Sequence, residues 1–221
     1  MRELPGYKIS IAHSVRSYGK IFDLNGRLRH HAPMRANRVQ NQLRIIGGQW
    51  RGRKLGFAPL PGLRPTPDRV RETLFNWLAP DIRGSRCLDL YAGSGALGLE
   101  AASRGAAGVV LVDRSREVIA ALQEQVAMLD ARQVETVQAN VLQWLRGPSR
   151  VFDIVFLDPP YGQGLLADSI RLLEANGWLA PEAVIYLESE KDLQLDLPDA
   201  WQVYRSKQAG QVKYQLVQRS Q

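Results

Sequence analysis

Cysteine is almost missing from this chain. The 221 residues include one, Cys87, so an internal disulfide and a cysteine-based zinc site are both excluded. Cys87 lies in an apolar stretch, where an inert core thiol is the expected reading. Histidine is scarce as well. His13, His30 and His31 all fall in the first segment without spacing to a carboxylate partner, which argues against a metal centre and against histidine-dependent catalysis. No apolar run approaches the roughly 20 residues of a membrane span, so no membrane partner is expected. A Lys-Ser/Thr phosphate loop is also lacking. Acids are missing from one end only. Residues 1–54 hold 12 Lys/Arg against 2 Asp/Glu, a net of +10, while the remainder holds 17 against 20, a net of −3; together they make the formal +7. A near-neutral body with a basic end is the footprint of phosphate-backbone contact, although a solvated basic tail has the same composition.

Residues 1–40 have little periodicity and mix Gly, Pro, Ser, Arg and His, so a poorly ordered leader is expected there. It has no secretory apolar core. A transit peptide remains open, as does a biological start at Met34. Residues 41–65 form a basic extension. Within it, 43–57 reads as two short strands around a Gly-rich turn, with Arg44, Arg51, Arg53 and Lys54 interleaved with Ile45, Ile46, Trp50 and Leu55. Such a hairpin suits an RNA backbone; an ordinary charged surface is the bland reading. Arg64 and Arg69 extend the basic set.

Residues 66–221 form the main domain. Thr66 is expected to cap a helix with Pro67 in its first position. Val70, Leu74, Trp77 and Leu78 give the buried stripe, widened by Phe75, with Arg69, Arg71 and Glu72 on the exposed side and Pro80 as the stop. Strands are then expected at 85–90, 108–112, 134–138, 152–157 and 183–188. Helices at 97–104, 117–129, 141–145 and 165–176 alternate with them, which predicts a parallel α/β sheet with helices on both faces. Two alternating strands, 201–207 and 211–217, close the chain as an antiparallel hairpin. That ending departs from a dehydrogenase-type fold and suits a Rossmann-like methyltransferase.

Two clusters carry chemistry. In Asp89-Leu90-Tyr91-Ala92-Gly93-Ser94-Gly95, the glycines permit a tight strand-to-helix turn and close approach of a ligand. An acid directly before the turn repels a pyrophosphate and suits a cationic amino-acid ligand, which favours S-adenosylmethionine over a dinucleotide. Asp113, about 20 residues on, stands where an acid grips ribose hydroxyls, with Arg114 beside it. Asn140, followed by Val141, is either an adenine contact or a helix cap. The second cluster is Asp158-Pro159-Pro160-Tyr161 after an apolar strand. Two prolines cannot continue a sheet, so an acid, two stiff carbonyls and an aromatic ring project from the strand end. Carboxylate and carbonyl are placed to accept the hydrogens of an exocyclic base amine while the ring stacks on the extruded base.

From Leu43 nearly to the end, the chain resembles the RsmD family of bacterial small-subunit ribosomal RNA guanine-N2 methyltransferases. The resemblance rests on 44–54 (RIIGGQWRGRK), 62–66 (GLRPT), 68–79 (DRVRETLFNWLA), 92–101 (AGSGALGLEA), 158–160 (DPP), 164–166 (GLL), 176–179 (NGWL) and 209–212 (AGQV). Tyr161 stands where some members have Phe. The resemblance implies methyl transfer from S-adenosylmethionine to N2 of one guanine in 16S rRNA. The implied substrate is the small ribosomal subunit or its assembly intermediate, and the implied protein is a cytoplasmic monomer. Adenine-N6 DNA methylation uses the same four-residue motif but usually needs a separate recognition region. A noncatalytic assembly factor would keep the hairpin without needing Asp89, Asp113 and Asp158 together.

Overall fold

The computed structural model describes residues 42–57 and 66–220. The leader, the three histidines and Arg64 therefore lie outside the described residues. The elements run β1 (Gln42–Arg44), β2 (Lys54–Gly56), α1 (Asp68–Trp77), β3 (Arg86–Leu90), α2 (Ala96–Ser103), β4 (Gly108–Asp113), α3 (Arg116–Met128) and β5 (Val134–Gln138). They continue with α4 (Val141–Trp144), β6 (Phe152–Leu157), α5 (Leu165–Ala175), β7 (Leu179–Glu190), β8 (Trp201–Ala209) and β9 (Val212–Arg219). Strands β3 to β9 make one sheet in the order β5-β4-β3-β6-β7-β9-β8. The first five are parallel, and β9 joins β7 antiparallel, with β8 outside it.

Each central strand is apolar on both faces because helices cover both. Cys87, Leu111, Phe156 and Tyr186 face a layer containing α1, α2, α3 and the small hairpin. Leu88, Val110, Val155 and Ile185 face the layer of α4 and α5. Cys87 is fully buried, and burial pushes its thiol up to about 12, so it is a core residue and not a nucleophile. The chain steps outward from β3 through β4 to β5 and then returns to β6 on the other side of β3. The neighbours β3 and β6 thus flank the point where the winding reverses, which in open α/β sheets is where ligands bind.

The basic hairpin is seated on the body. Leu43, Ile45 and Leu55 are buried, and Gln49 N–H donates to the Ser103 carbonyl at 2.8 Å. Gly48 has φ +77, and a Cβ there would come within 1.9 Å of that same carbonyl oxygen, so only glycine permits the approach. Ile46 N–H and Gly47 N–H each donate to the buried Glu100 carboxylate at 2.8 Å.

Helix α1 departs from expectation in three ways. Arg71, expected at the surface, has 0 % exposure. Its guanidinium donates to the carbonyls of Thr66 (3.2 Å) and Arg44 (2.9 Å) and to Asp68 (2.6 Å), and it faces Glu100 at 3.6 Å, so paired partners replace water. Thr66 makes no capping bond. Pro67 is itself the residue preceding the helix, with extended backbone (ψ 145). The helix ends at Trp77, three residues short of Pro80. Trp77 is half-buried against Tyr214, with ring centroids 5.7 Å apart.

Candidate active site

The carboxyl ends of β3, β4 and β6 surround a cleft of about 670 Å³. Its floor is the turn after β3. Tyr91 takes φ +68, a left-handed conformation costly for a side chain with a Cβ, and its hydroxyl is tied to Ser169 Oγ at 2.8 Å. Ala92, Gly93 and Ser94 line the cleft, and Gly95 (φ +76) hands the chain to α2. Gly98 sits one turn further on. A Cβ there would meet a Leu111 methyl at 2.2 Å and Asp89 Oδ2 at 3.0 Å, so glycine lets α2 lie close on the sheet.

Asp89 Oδ2 accepts from Gly98 N–H at 2.8 Å. Burial pushes its carboxyl up to about 7, with the charge of Asp113 acting in the same direction and the Gly98 bond opposing both. Asp113 accepts from Gly93 N–H (3.0 Å) and Ser115 N–H (2.8 Å), which orient both oxygens at the cleft edge. Arg114 and Val141 also line the cleft. Asn140 shows the capping role: its amide oxygen accepts from Gln143 N–H at 3.1 Å at the start of α4. It still lines the cleft, with the oxygen's second lone pair and the amide hydrogens left over from the cap.

Across the switch point, Asp158, Pro159, Pro160 and Tyr161 line the opposite wall. Tyr161 is 43 % exposed, and its hydroxyl donates to Glu188 Oε1 at 3.1 Å. Burial raises the Asp158 carboxyl well above the usual carboxylate range, with the charge of Glu188 next and that of Asp89 after it; the Thr66 hydroxyl bond opposes them. Thr66 and Glu188 are site residues that sequence reasoning did not single out. The signal for Glu188 was an acid closing an apolar strand. The register Leu157↔Leu187 of parallel β6 and β7 makes it the neighbour of Asp158.

The basic residues are set apart from this wall. Arg51, Arg53 and Lys54 are exposed on the hairpin, Arg69 is exposed on α1, and Arg44 is exposed but paired with Asp68 at 3.6 Å. Among the described residues, no group of three or more His, Cys, Asp and Glu is placed to hold a metal, and no helix is long and apolar enough to cross a membrane.

Acids stand where a dinucleotide fold would place its pyrophosphate, and the cleft is lined with acceptors suited to a cationic amino acid and to ribose hydroxyls. Together with the antiparallel ending of the sheet, this defines a class I S-adenosylmethionine-dependent methyltransferase. A family model described as "Conserved hypothetical protein 95" matches residues 43–218. The chain is 55 % identical over 179 residues to the Ribosomal RNA small subunit methyltransferase D of Escherichia coli strain K12, covering 80 % of this chain and 90 % of the relative. Among solved structures it is similar to a putative methyltransferase from Escherichia coli (TM-score 0.77, 51 % identity, 81 % of this chain and 99 % of that one). It is also similar to the Thermus thermophilus 16S rRNA N2 guanine methyltransferase RsmC, solved with AdoMet and guanosine (TM-score 0.64, 26 % identity, 82 % of this chain and 50 % of that one). The chain belongs to the RsmD family.

Proposed function

We propose that this protein methylates the exocyclic N2 amine of a guanine in 16S rRNA on the small ribosomal subunit or its assembly intermediate. The observation that carries the reading is the placement of Asp158 to Tyr161 and the Asp89 to Gly95 turn on facing walls of one cleft. S-adenosylmethionine, when bound, supplies an electrophilic methyl on a sulfonium. The residues that would hold it are Asp89 and the 92–94 backbone for its amino-acid end, Asp113 for ribose, and Asn140 with Val141 for adenine.

The remaining work belongs to the wall at β6. An exocyclic base amine is a weak nucleophile because its lone pair is delocalised into the ring. Asp158 and the Pro159 carbonyl accept its two hydrogens, favour the localised lone pair and stabilise positive charge developing on nitrogen. The Tyr161 ring, held through its hydroxyl by Glu188, offers a stacking face to the base. On gaining a carbon substituent, the nitrogen must lose one proton. Asp158 is the acceptor in reach, and its elevated basicity suits it to the task. Positioning does the rest.

Labelled S-adenosylmethionine offered with small-subunit particles, naked 16S rRNA and DNA tests the reading. Label is expected in N2-methylguanosine from the rRNA substrates. Label in N6-methyladenine, or incorporation only into DNA, would overturn it.

The exposed guanidinium groups of Arg51 and Arg53 support RNA contact by the hairpin. Replacing both with alanine should weaken rRNA binding and flatten the dependence of log affinity on log salt by about 0.7–0.9 for each phosphate left without its guanidinium. Affinity for S-adenosylmethionine should be unchanged in calorimetry. An unaltered salt slope in a filter-binding series would remove the hairpin from the RNA footprint.

A further inference from the structure

Glu188 is the acid lining the cleft whose part so far is only indirect, through the Tyr161 hydroxyl and the charge it sets beside Asp158. It stands near the end of the buried run on β7, lines the cleft beside Asp158, and is itself almost wholly buried. Both of its oxygens are engaged by hydroxyl donors: Tyr161 on Oε1 at 3.1 Å and Tyr186 on Oε2 at 2.7 Å. Each tyrosine has a single proton to give, and each gives it here. The carboxylate is therefore fixed as an acceptor, and one lone pair on each oxygen is left for something else. Because Glu188 lines the cleft, a further donor can reach it from there.

Guanine and adenine differ in what stands next to the amine. In guanine the ring N1 carries a hydrogen beside the N2 amine, so N1 and N2 together present donors. In adenine the ring N1 beside the N6 amine carries a lone pair. Adjacent parallel strands lie about 4.8 Å apart. Acids on β6 and β7 in matching register can thus take hydrogens from a ring N–H and its neighbouring exocyclic amine together. We infer that Glu188 is the specificity-determining residue for the base: its carboxylate accepts the N1–H of guanine while Asp158 and the Pro159 carbonyl hold the N2 amine, and the ring lone pair of adenine at that place is repelled. This rests on the proposed guanine-N2 reading and deepens it.

The probe is 2-aminopurine, which keeps the 2-amino group but has a bare lone pair at N1. Small-subunit particles are reconstituted with 16S rRNA carrying either guanine or 2-aminopurine at the position where wild-type product is mapped, and kcat/KM is measured on both. Wild type should prefer guanine by at least about 10²-fold, because the analogue sets its N1 lone pair against the carboxylate and forfeits the N1–H bond. In Glu188→Gln the amide can turn an N–H toward the analogue, so the preference should fall at least tenfold, whatever happens to the absolute rate. A residue that merely anchors Tyr161 and Tyr186 would slow both substrates alike. Glu188→Asp, which keeps the charge and withdraws it by one carbon, is the second variant and should also narrow the preference. Equal use of both substrates by wild type, or an unchanged ratio in the variants, overturns the role of Glu188 and leaves the guanine reading standing. Wild-type product at a site other than guanine N2 removes that reading itself.

Discussion

Asp158→Ala should lower methyl transfer to 16S rRNA by about 10²–10⁴-fold while S-adenosylmethionine binds with nearly wild-type affinity. The separation follows from where the side chain stands. Asp158 lies on the wall formed by β6, whereas the residues proposed for the donor's amino-acid end and ribose belong to β3, the turn after it and β4. The variant should also melt no lower than wild type. Burial and the charges of Glu188 and Asp89 all disfavour the ionised Asp158 carboxyl, so deleting it removes an unfavourable group from the fold. Asp158→Asn separates the two duties of the carboxylate. The amide still accepts one amine hydrogen but cannot take a proton, so the rate should fall less than in alanine and the pH profile should change shape. Because burial and Glu188 hold the Asp158 carboxyl well above its ordinary range, wild-type rate should rise with pH through that elevated interval as the carboxylate forms, and the limb should vanish in Asp158→Asn. Single-turnover rates across pH, with calorimetry for the cofactor, check this. Turnover near wild type in Asp158→Ala would end the proposed mechanism.

Much of this site could be read in the chain because local rules write it there. The glycine turn after β3, the acid closing β4, and two prolines breaking β6 each encode a strand end, and alternation of strands with helices places those ends on one side of a parallel sheet. What stayed hidden was decided by partners remote in sequence. Arg71 shares the spacing of Leu74, Phe75 and Leu78, which fits the buried stripe, but its charge put it on the exposed side, and no local rule supplied the acid that would overrule charge. That acid, Glu100, is the single charged residue in the otherwise apolar 96–102 stretch, and a lone acid among Leu, Gly and Ala is itself a sign of a buried pair. Thr66 shows the reverse error. Thr-Pro before an apolar run is a strong local cue for a cap, but the hydroxyl serves Asp158 instead, a residue that only tertiary structure brings near. Glu188 needed the register of β6 against β7, which pattern alone does not provide.

Glu100 carries the second large effect, on stability and through it on RNA binding. Its buried carboxylate accepts from Ile46 N–H and Gly47 N–H in the hairpin turn and from Arg104 Nε at 2.7 Å, and it faces Arg71 at 3.6 Å. Glu100→Ala thus strips the acceptor from two backbone donors and takes from a fully buried guanidinium one of its two counter-charges, leaving Asp68 at 2.6 Å as the other. Breaking one side of a buried pair costs about 3–5 kcal/mol, which for a domain of this size lowers the melting temperature by roughly 6–20 °C. Glu100→Gln keeps the shape and one acceptor oxygen and should cost less. Arg71→Met with Glu100→Leu removes both charges and should cost less than the sum of the single changes, yet stay below wild type because the two hairpin amides remain orphaned. Where Glu100→Gln still folds, the loss should be local. Amides of β1, β2 and the intervening turn should exchange faster, since Glu100 binds that turn to α2, and α2 begins at the cofactor turn. A loosened hairpin presents Arg51 and Arg53 less rigidly, so RNA affinity should fall more than affinity for S-adenosylmethionine. A Glu100→Ala protein that melts within about 2 °C of wild type, with hairpin amides as protected as before, would show that the hairpin is held by its apolar contacts alone.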